Sequence, residues 1–109
     1  MFIDADPVQI RAAAEIQADS VELHTGQYAL ARDKRPQLAA LSDAGKLVQQ
    51  LGLVLHAGHG LTYDNVIPVA EIPNMAELNI GHSIVARSIM VGMRDAVAEM
   101  KTLITKRRS

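Results

Sequence analysis

The sequence predicts an α/β fold of four parallel βα units, and three observations carry that prediction. Apolar segments at 1–3, 20–26, 52–58 and 75–80 alternate with stretches that bear helix signals. Their spacings suit βαβ units, which imply a parallel sheet with right-handed crossovers. The last two segments run into Gly-His pairs, Gly58-His59-Gly60 and Gly81-His82, at the strand ends where α/β folds place their chemistry. Four such units make half of a (β/α)8 TIM barrel, or alternatively a small open sheet. No low-complexity tract or linker interrupts the 109 residues, so one domain over 1–109 is expected.

Met1, Phe2 and Ile3 read as the tail of a strand, because apolar residues begin at the first position. Asp6 starts a helix as its N-cap, with Pro7 at the first helical position and Gln9 closing a capping box. This alanine-rich helix is expected to end near Gln17 and Ala18. Residues 20–26 alternate apolar and polar and stop at Gly26, as a strand does. If Val21 and Leu23 face one way, Glu22 and His24 face the other. That second face is either buried, where an acid and an imidazole need partners or water, or half-exposed and solvated. Both readings stay open on this segment alone.

Residues 27–35 are polar and charged and read as a loop. Pro36 opens the next helix, in which Leu41, Ala44, Val48 and Leu51 share an apolar face and Gly52 is the left-handed stop. The strand over 52–58 follows. Residues 64–72 contain Pro68 and meet Pro73, so they hold no more than a couple of helical turns. After the strand at 75–80, Ala86, Met90, Met93, Val97, Met100 and Ile104 keep a 4-3-4-3-4 rhythm. That rhythm predicts one long helix from Ser83, about six turns, with its methionines packed into the core.

Composition narrows the function. A formal charge of −1 and 3% aromatic residues provide neither a basic field nor a stacking platform for nucleic acid. The basic cluster Lys106-Arg107-Arg108 is explained by complementing a helix dipole at a solvated terminus. The chain has no cysteine, hence no disulfide framework and no thiol nucleophile, which fits a cytoplasmic setting. Neither a signal-peptide pattern nor an apolar run of the ~18 residues a membrane span needs is read from the sequence, so no membrane span is expected.

Three of the four histidines lie at strand ends. A zinc site from His56, His59 and His82 is conceivable. The His-x-x-His spacing of His56 and His59 suits a metal best on a helix, however, and here it spans a strand end and a turn, so no metal site is expected. A phosphate site is physically stronger. Gly81 and His82 would sit at the amino end of a helix, where free amides and the dipole favour an anion. In (β/α)8 barrels the loops after the last two strands are the usual phosphate site, and the two Gly-His turns would occupy them. Glu22 and His59 then form a candidate acid-base couple, since an imidazole exchanges protons near neutral pH.

These residues carry a resemblance. Phe2-Ile3-Asp4-Ala5-Asp6, Glu22-Leu23-His24-Thr25-Gly26, Ala57-Gly58-His59-Gly60-Leu61-Thr62-Tyr63 and Glu77-Leu78-Asn79-Ile80-Gly81-His82-Ser83-Ile84 closely resemble the pyridoxine 5′-phosphate synthase family, and Asp95-Ala96-Val97-Ala98-Glu99-Met100 continues the match. The resemblance implies a (β/α)8 barrel transferase of vitamin B6 biosynthesis. It condenses 1-deoxy-D-xylulose 5-phosphate with 3-amino-2-oxopropyl phosphate to pyridoxine 5′-phosphate, phosphate and water, and it assembles as a homo-oligomer. By motif, His59 resembles the proton donor and Glu22 the residue that stabilises the transition state. Gly60, Gly81 and His82 resemble the contacts to the aminooxopropyl phosphate. No cofactor is implied.

A complete barrel of this kind needs about 250 residues. The match therefore implies the carboxyl-terminal half, strands five to eight, without the amino-terminal half that carries another catalytic histidine, a glutamate base and most contacts to the deoxyxylulose phosphate. This half alone is expected to be inactive. His56 stands where the family is expected to have asparagine, and Gln27 where many relatives have cysteine; His56 is expected to alter the hydrogen bonding around His59. The alternatives are a non-catalytic phosphate-binding half-barrel that pairs with itself, and, more weakly, another phosphate-handling barrel enzyme such as a sugar-phosphate isomerase.

Overall fold

Alternation of large aliphatic and polar residues makes the sheet. The computed structural model describes residues 2–108, with side chains described for 2–105. Its strands are β1 (Phe2–Ile3), β2 (Ser20–His24), β3 (Val54–Gly58) and β4 (Met75–Asn79). They lie side by side in chain order, all parallel. Val21, Leu23, Leu55 and Ala57 are at most 2% exposed and face the helices. Fully burying the valine and leucine side chains contributes about 1.5–3 kcal/mol each. The other face carries Glu22, His24, His56 and Asn79, so the open question about Glu22 and His24 resolves to a half-buried polar face.

In register, Phe2 lies beside Glu22, Glu22 beside His56, and His56 beside Glu77. A second row, one layer nearer the carboxyl ends, joins His24, Gly58 and Asn79. A register shift between Leu55 and His56 leaves Ala76 as the extra residue of β4. This bulge keeps Met75 in the core while turning Glu77 and Asn79 to the polar face. Among the described residues β1 and β4 each pair on one side only. Four parallel strands in chain order, with helices between them and both edges open, form a half-barrel that is not closed.

The helices are α1 (Pro7–Glu15), α2 (Gly26–Leu30), α3 (Arg35–Gln50), α4 (Val66–Ala70), α5 (His82–Val91) and α6 (Met93–Arg108). The Asp6 side chain caps α1 by accepting from the Val8 N–H at 3.0 Å. The expected capping box is not formed, since Gln9 Oε1 instead accepts from the Asp4 N–H at 3.1 Å. The helix also ends earlier than expected. Gln17 takes a left-handed φ of 59°, and the Ala18 N–H donates back to the Ala13 carbonyl. This is a glycine-type stop made without glycine.

The segment read as a loop over 27–35 begins with the turn of α2. Burial of Tyr28 drives it, the Tyr28 hydroxyl donating to the Asn65 carbonyl at 2.6 Å. That burial raises the phenol above its usual pKa. Lys34 Nζ then donates to the Ala29 and Ala31 carbonyls at 3.1 and 2.8 Å and closes the helix end. In α3 the buried face is Leu41, Ala44, Gly45 and Val48. Leu51, placed on that face by periodicity, lies past the last turn and is 38% exposed. Gly52 has the expected positive φ, 77°.

The long final helix is two helices. Gly92, at φ 87°, breaks the rhythm between α5 and α6. Among the described side chains of α6, Ala96 and Met100 are buried, and the Tyr63 hydroxyl donates to the Ala96 carbonyl at 2.7 Å. Met90 and Met93 are 78% and 50% exposed, so the expectation that the methionine stripe packs a core is wrong for both. Across the break, Arg87 donates to both Glu99 oxygens at 3.0 and 3.2 Å. Those bonds hold the Glu99 carboxyl below its ordinary pKa of 4.5. Met1 and the side chains of the basic cluster at 106–108 lie outside the described residues. Among the described residues no helix is long and apolar enough to cross a membrane.

Candidate functional site

The site begins with the turn after β3. His59 has φ 90° and Gly60 φ 76°. A non-glycine residue in the left-handed region costs of order 1–3 kcal/mol and persists only where its surroundings hold it. Here His24, the last residue of β2, and Thr25 just after it do so. The Thr25 N–H donates to the Gly58 carbonyl at 2.9 Å. The buried Thr25 hydroxyl donates to the His59 carbonyl at 2.6 Å. The His24 ring stacks on the His59 ring with centroids 4.5 Å apart. Gly60 packs against α2 so closely that a Cβ there would lie 2.8 Å from Ala29 Cβ.

Glu22 reaches the same level from the deeper row. Its Oε1 accepts from Asn79 Nδ2 at 2.7 Å, across the intervening strand. The crossing passes over Gly58, where a Cβ would stand 2.5 Å from Glu22 Oε2. The glycine therefore opens the passage by which the carboxylate bridges β2 to β4. No sequence pattern signals a bond between residues 57 positions apart, but the register of the two rows does.

The second turn follows β4. Gly81 is the N-cap of α5, and the Val85 N–H donates to its carbonyl at 3.0 Å. A Cβ built on Gly81 meets nothing within 4 Å, and its φ of −128° is open to any residue. Among the described residues, no packing contact requires a glycine there. Ser83 Oγ donates to the Leu61 carbonyl at 2.8 Å and ties the two turns together.

Glu22, His59, Gly60, Gly81 and His82 all line one cleft of about 910 Å³. Phe2, Lys34, Asn65 and Asn79 are further parts of its wall. The five residues singled out from sequence are therefore brought together at the carboxyl end of the sheet. His24, Thr25 and Asn79 were not singled out as site residues, and Gly58 stood out only as a glycine of the Gly-His-Gly turn. Their contribution is to hold other residues, and only the strand pairing reveals it.

His56 does not act as expected. Its Nδ1 lies 3.6 Å from Glu77 Oε2, in the row below the turn, so its side chain is directed toward Glu77 rather than His59. Among the described residues no three His, Cys, Asp or Glu side chains converge as a metal ion would require.

Comparison with known proteins adds the following. The family model of the pyridoxal phosphate biosynthesis protein PdxJ matches residues 1–106. A pyridoxine 5′-phosphate synthase of Rhodopirellula baltica is 62% identical over 106 residues, covering 95% of this chain and 43% of the relative. Proteins of the same name from Nostoc punctiforme and Synechocystis sp. are 52% and 54% identical, covering 95% and 93% of this chain and 44% and 43% of theirs. The chain thus spans less than half the length of the curated relatives it matches.

Proposed function

The chain belongs to the PdxJ family of pyridoxal phosphate biosynthesis proteins, and from that premise we propose that it is the carboxyl-terminal half-barrel of a pyridoxine 5′-phosphate synthase acting in vitamin B6 biosynthesis. The observation that carries this reading is the convergence of Glu22, His59, Gly60, Gly81 and His82 on one cleft.

The chemistry follows from the parts. The amides at Gly60, Gly81 and His82 take the phosphate of 3-amino-2-oxopropyl phosphate, the last two at the start of a ten-residue helix whose dipole favours an anion. An absent Cβ at Gly81 fits this role, because it lets an anion approach the backbone where nothing else in the fold needs the space. The amine of that substrate adds to the ketone of 1-deoxy-D-xylulose 5-phosphate to form an imine. Proton transfers, loss of phosphate, dehydration and ring closure follow. His59, exposed to the cleft on its clamped turn, protonates a leaving oxygen. Glu22, oriented by Asn79, stabilises positive charge developing on the nitrogen-bearing intermediate.

The pentulose phosphate needs walls that four strands do not provide. The open edges at β1 and β4 are where the other half of a barrel docks, as a complementary segment or within a homo-oligomer. A cytoplasmic setting fits the cysteine-free sequence.

Mixing the 109-residue chain with a separately produced amino-terminal half of the family's barrel tests the reading. The chain alone is expected to form no pyridoxine 5′-phosphate, and the mixture is expected to form it. Turnover by the chain alone contradicts the requirement for a second half. Phosphate binding without restored synthesis favours a non-catalytic phosphate-binding half-barrel that pairs with itself.

A further inference from the structure

We infer that His24 is a positioning residue for His59, holding its imidazole by ring stacking from the side away from the substrate. The inference rests on the reading of His59 as the proton donor. Among the described residues the His59 side chain has no hydrogen-bond partner; its ring neighbour is His24, with centroids 4.5 Å apart and planes at 30°. An imidazole on an exposed turn with no other partner swings among rotamers on the ps–ns scale. A flat ring against one face removes most of that freedom.

His24 is itself fixed on two sides. Its Nδ1 accepts from the Gly26 N–H at 3.1 Å, which leaves its proton on Nε2. The Phe2 ring meets it edge-on, with centroids 4.8 Å apart and planes at 73°. The slot between the two imidazoles exists because residue 26 is glycine. A Cβ there would overlap His24 Cε1 and stand 3.0 Å from His59 Cδ2. Phe2, His24 and His59 thus form a three-ring cluster running from β1 to the turn after β3, with Phe2 edge-on to His24 and His24 stacked on His59.

His24 does not line the cleft. It borders a separate hollow of about 240 Å³ with Asp4, Asp6, Gln27 and Tyr28. It stands behind His59 and can act on a bound substrate only through that ring.

The test uses the barrel completed by its other half, with His24→Ala, His24→Phe and His59→Asn. Steady-state kinetics with 3-amino-2-oxopropyl phosphate are read beside the His59 χ1 couplings by NMR. His24→Ala is expected to lower kcat by about 10- to 100-fold, because a misplaced catalytic group costs turnover rather than binding. KM should change little, and the His59 couplings should average over rotamers. His24→Phe keeps a ring in the stack, and is expected to recover kcat by about tenfold over His24→Ala and to restore a single His59 rotamer. Should His24→Ala fail to fold, His24→Asn replaces it, since it keeps an acceptor for the Gly26 N–H and removes the ring. Unchanged kcat and a single rotamer without the ring overturn the inference, as does a phenylalanine variant no better than the alanine one. His59→Asn separates the two levels. If it leaves kcat intact, the reading of His59 has failed, and the His59 couplings alone then decide whether His24 positions it.

Discussion

Replacing His59 by Asn in the completed barrel is expected to lower turnover by about 10²–10⁴-fold, the range a positioned general acid contributes. Asparagine is the informative substitution because of the backbone. His59 has φ 90°, and asparagine tolerates the left-handed region better than most side chains. The turn, the Thr25 bond to the residue-59 carbonyl and the Gly60 contact with α2 should all survive. Thermal unfolding is therefore expected to stay close to that of the parent while product formation collapses. A variant that keeps most of its turnover would remove His59 from the mechanism. A variant that loses turnover only because it unfolds would be exposed by the same melting curve.

Gly58→Ala is expected to have an effect of similar size for a different reason. Its new Cβ would stand 2.5 Å from Glu22 Oε2 and 3.0 Å from the Asn79 carbonyl oxygen. The carboxylate must then leave its bridge to Asn79, and a shift of about 1 Å in a catalytic group costs on the order of 10²-fold in rate. Stability should also fall, by about 1.5–3 kcal/mol for the lost hydrogen bond to the Glu22 carboxylate. Urea denaturation beside kcat distinguishes the cases. A large fall in rate in a variant that is still folded under the assay conditions supports the bridge. Unchanged rate shows that Glu22 does not need its passage over Gly58.

The plan of the chain was legible because parallel βα units write themselves in short apolar runs that end in glycine. The order of the four strands follows from that pattern, and so does the position of both Gly-His turns at one end of the sheet. What was not legible depends on contacts distant in sequence. α2 forms because Tyr28 finds a buried acceptor at Asn65, which local polarity does not show. α1 stops at a left-handed Gln17, a residue that gives no stop signal. The rhythm from Ala86 to Ile104 is continuous in sequence, yet Gly92 turns the chain and leaves Met90 exposed while Met100 is buried.

The site shows the same division. His59, Glu22 and the glycines of the turns stood out by residue type and place. Thr25 and Asn79, and the passage Gly58 leaves for the Glu22 carboxylate, emerge only once the register sets residues 22, 58 and 79 within reach of one another. His56 is the converse case. Its place where the family is expected to have asparagine suggested an influence on His59, but its ion-pair neighbour is Glu77 on β4.

The central claim is that the turn carrying His59 and Gly60 and the turn carrying Gly81 and His82 hold one phosphate ester between them. Titrating the ¹⁵N-labelled chain, within the completed barrel, with 3-amino-2-oxopropyl phosphate tests this most directly. The amides of Gly60, Gly81 and His82 and the His59 imidazole are expected to shift together along a single saturation curve. Two turns that saturate at different concentrations, or a response confined to one of them, would contradict it.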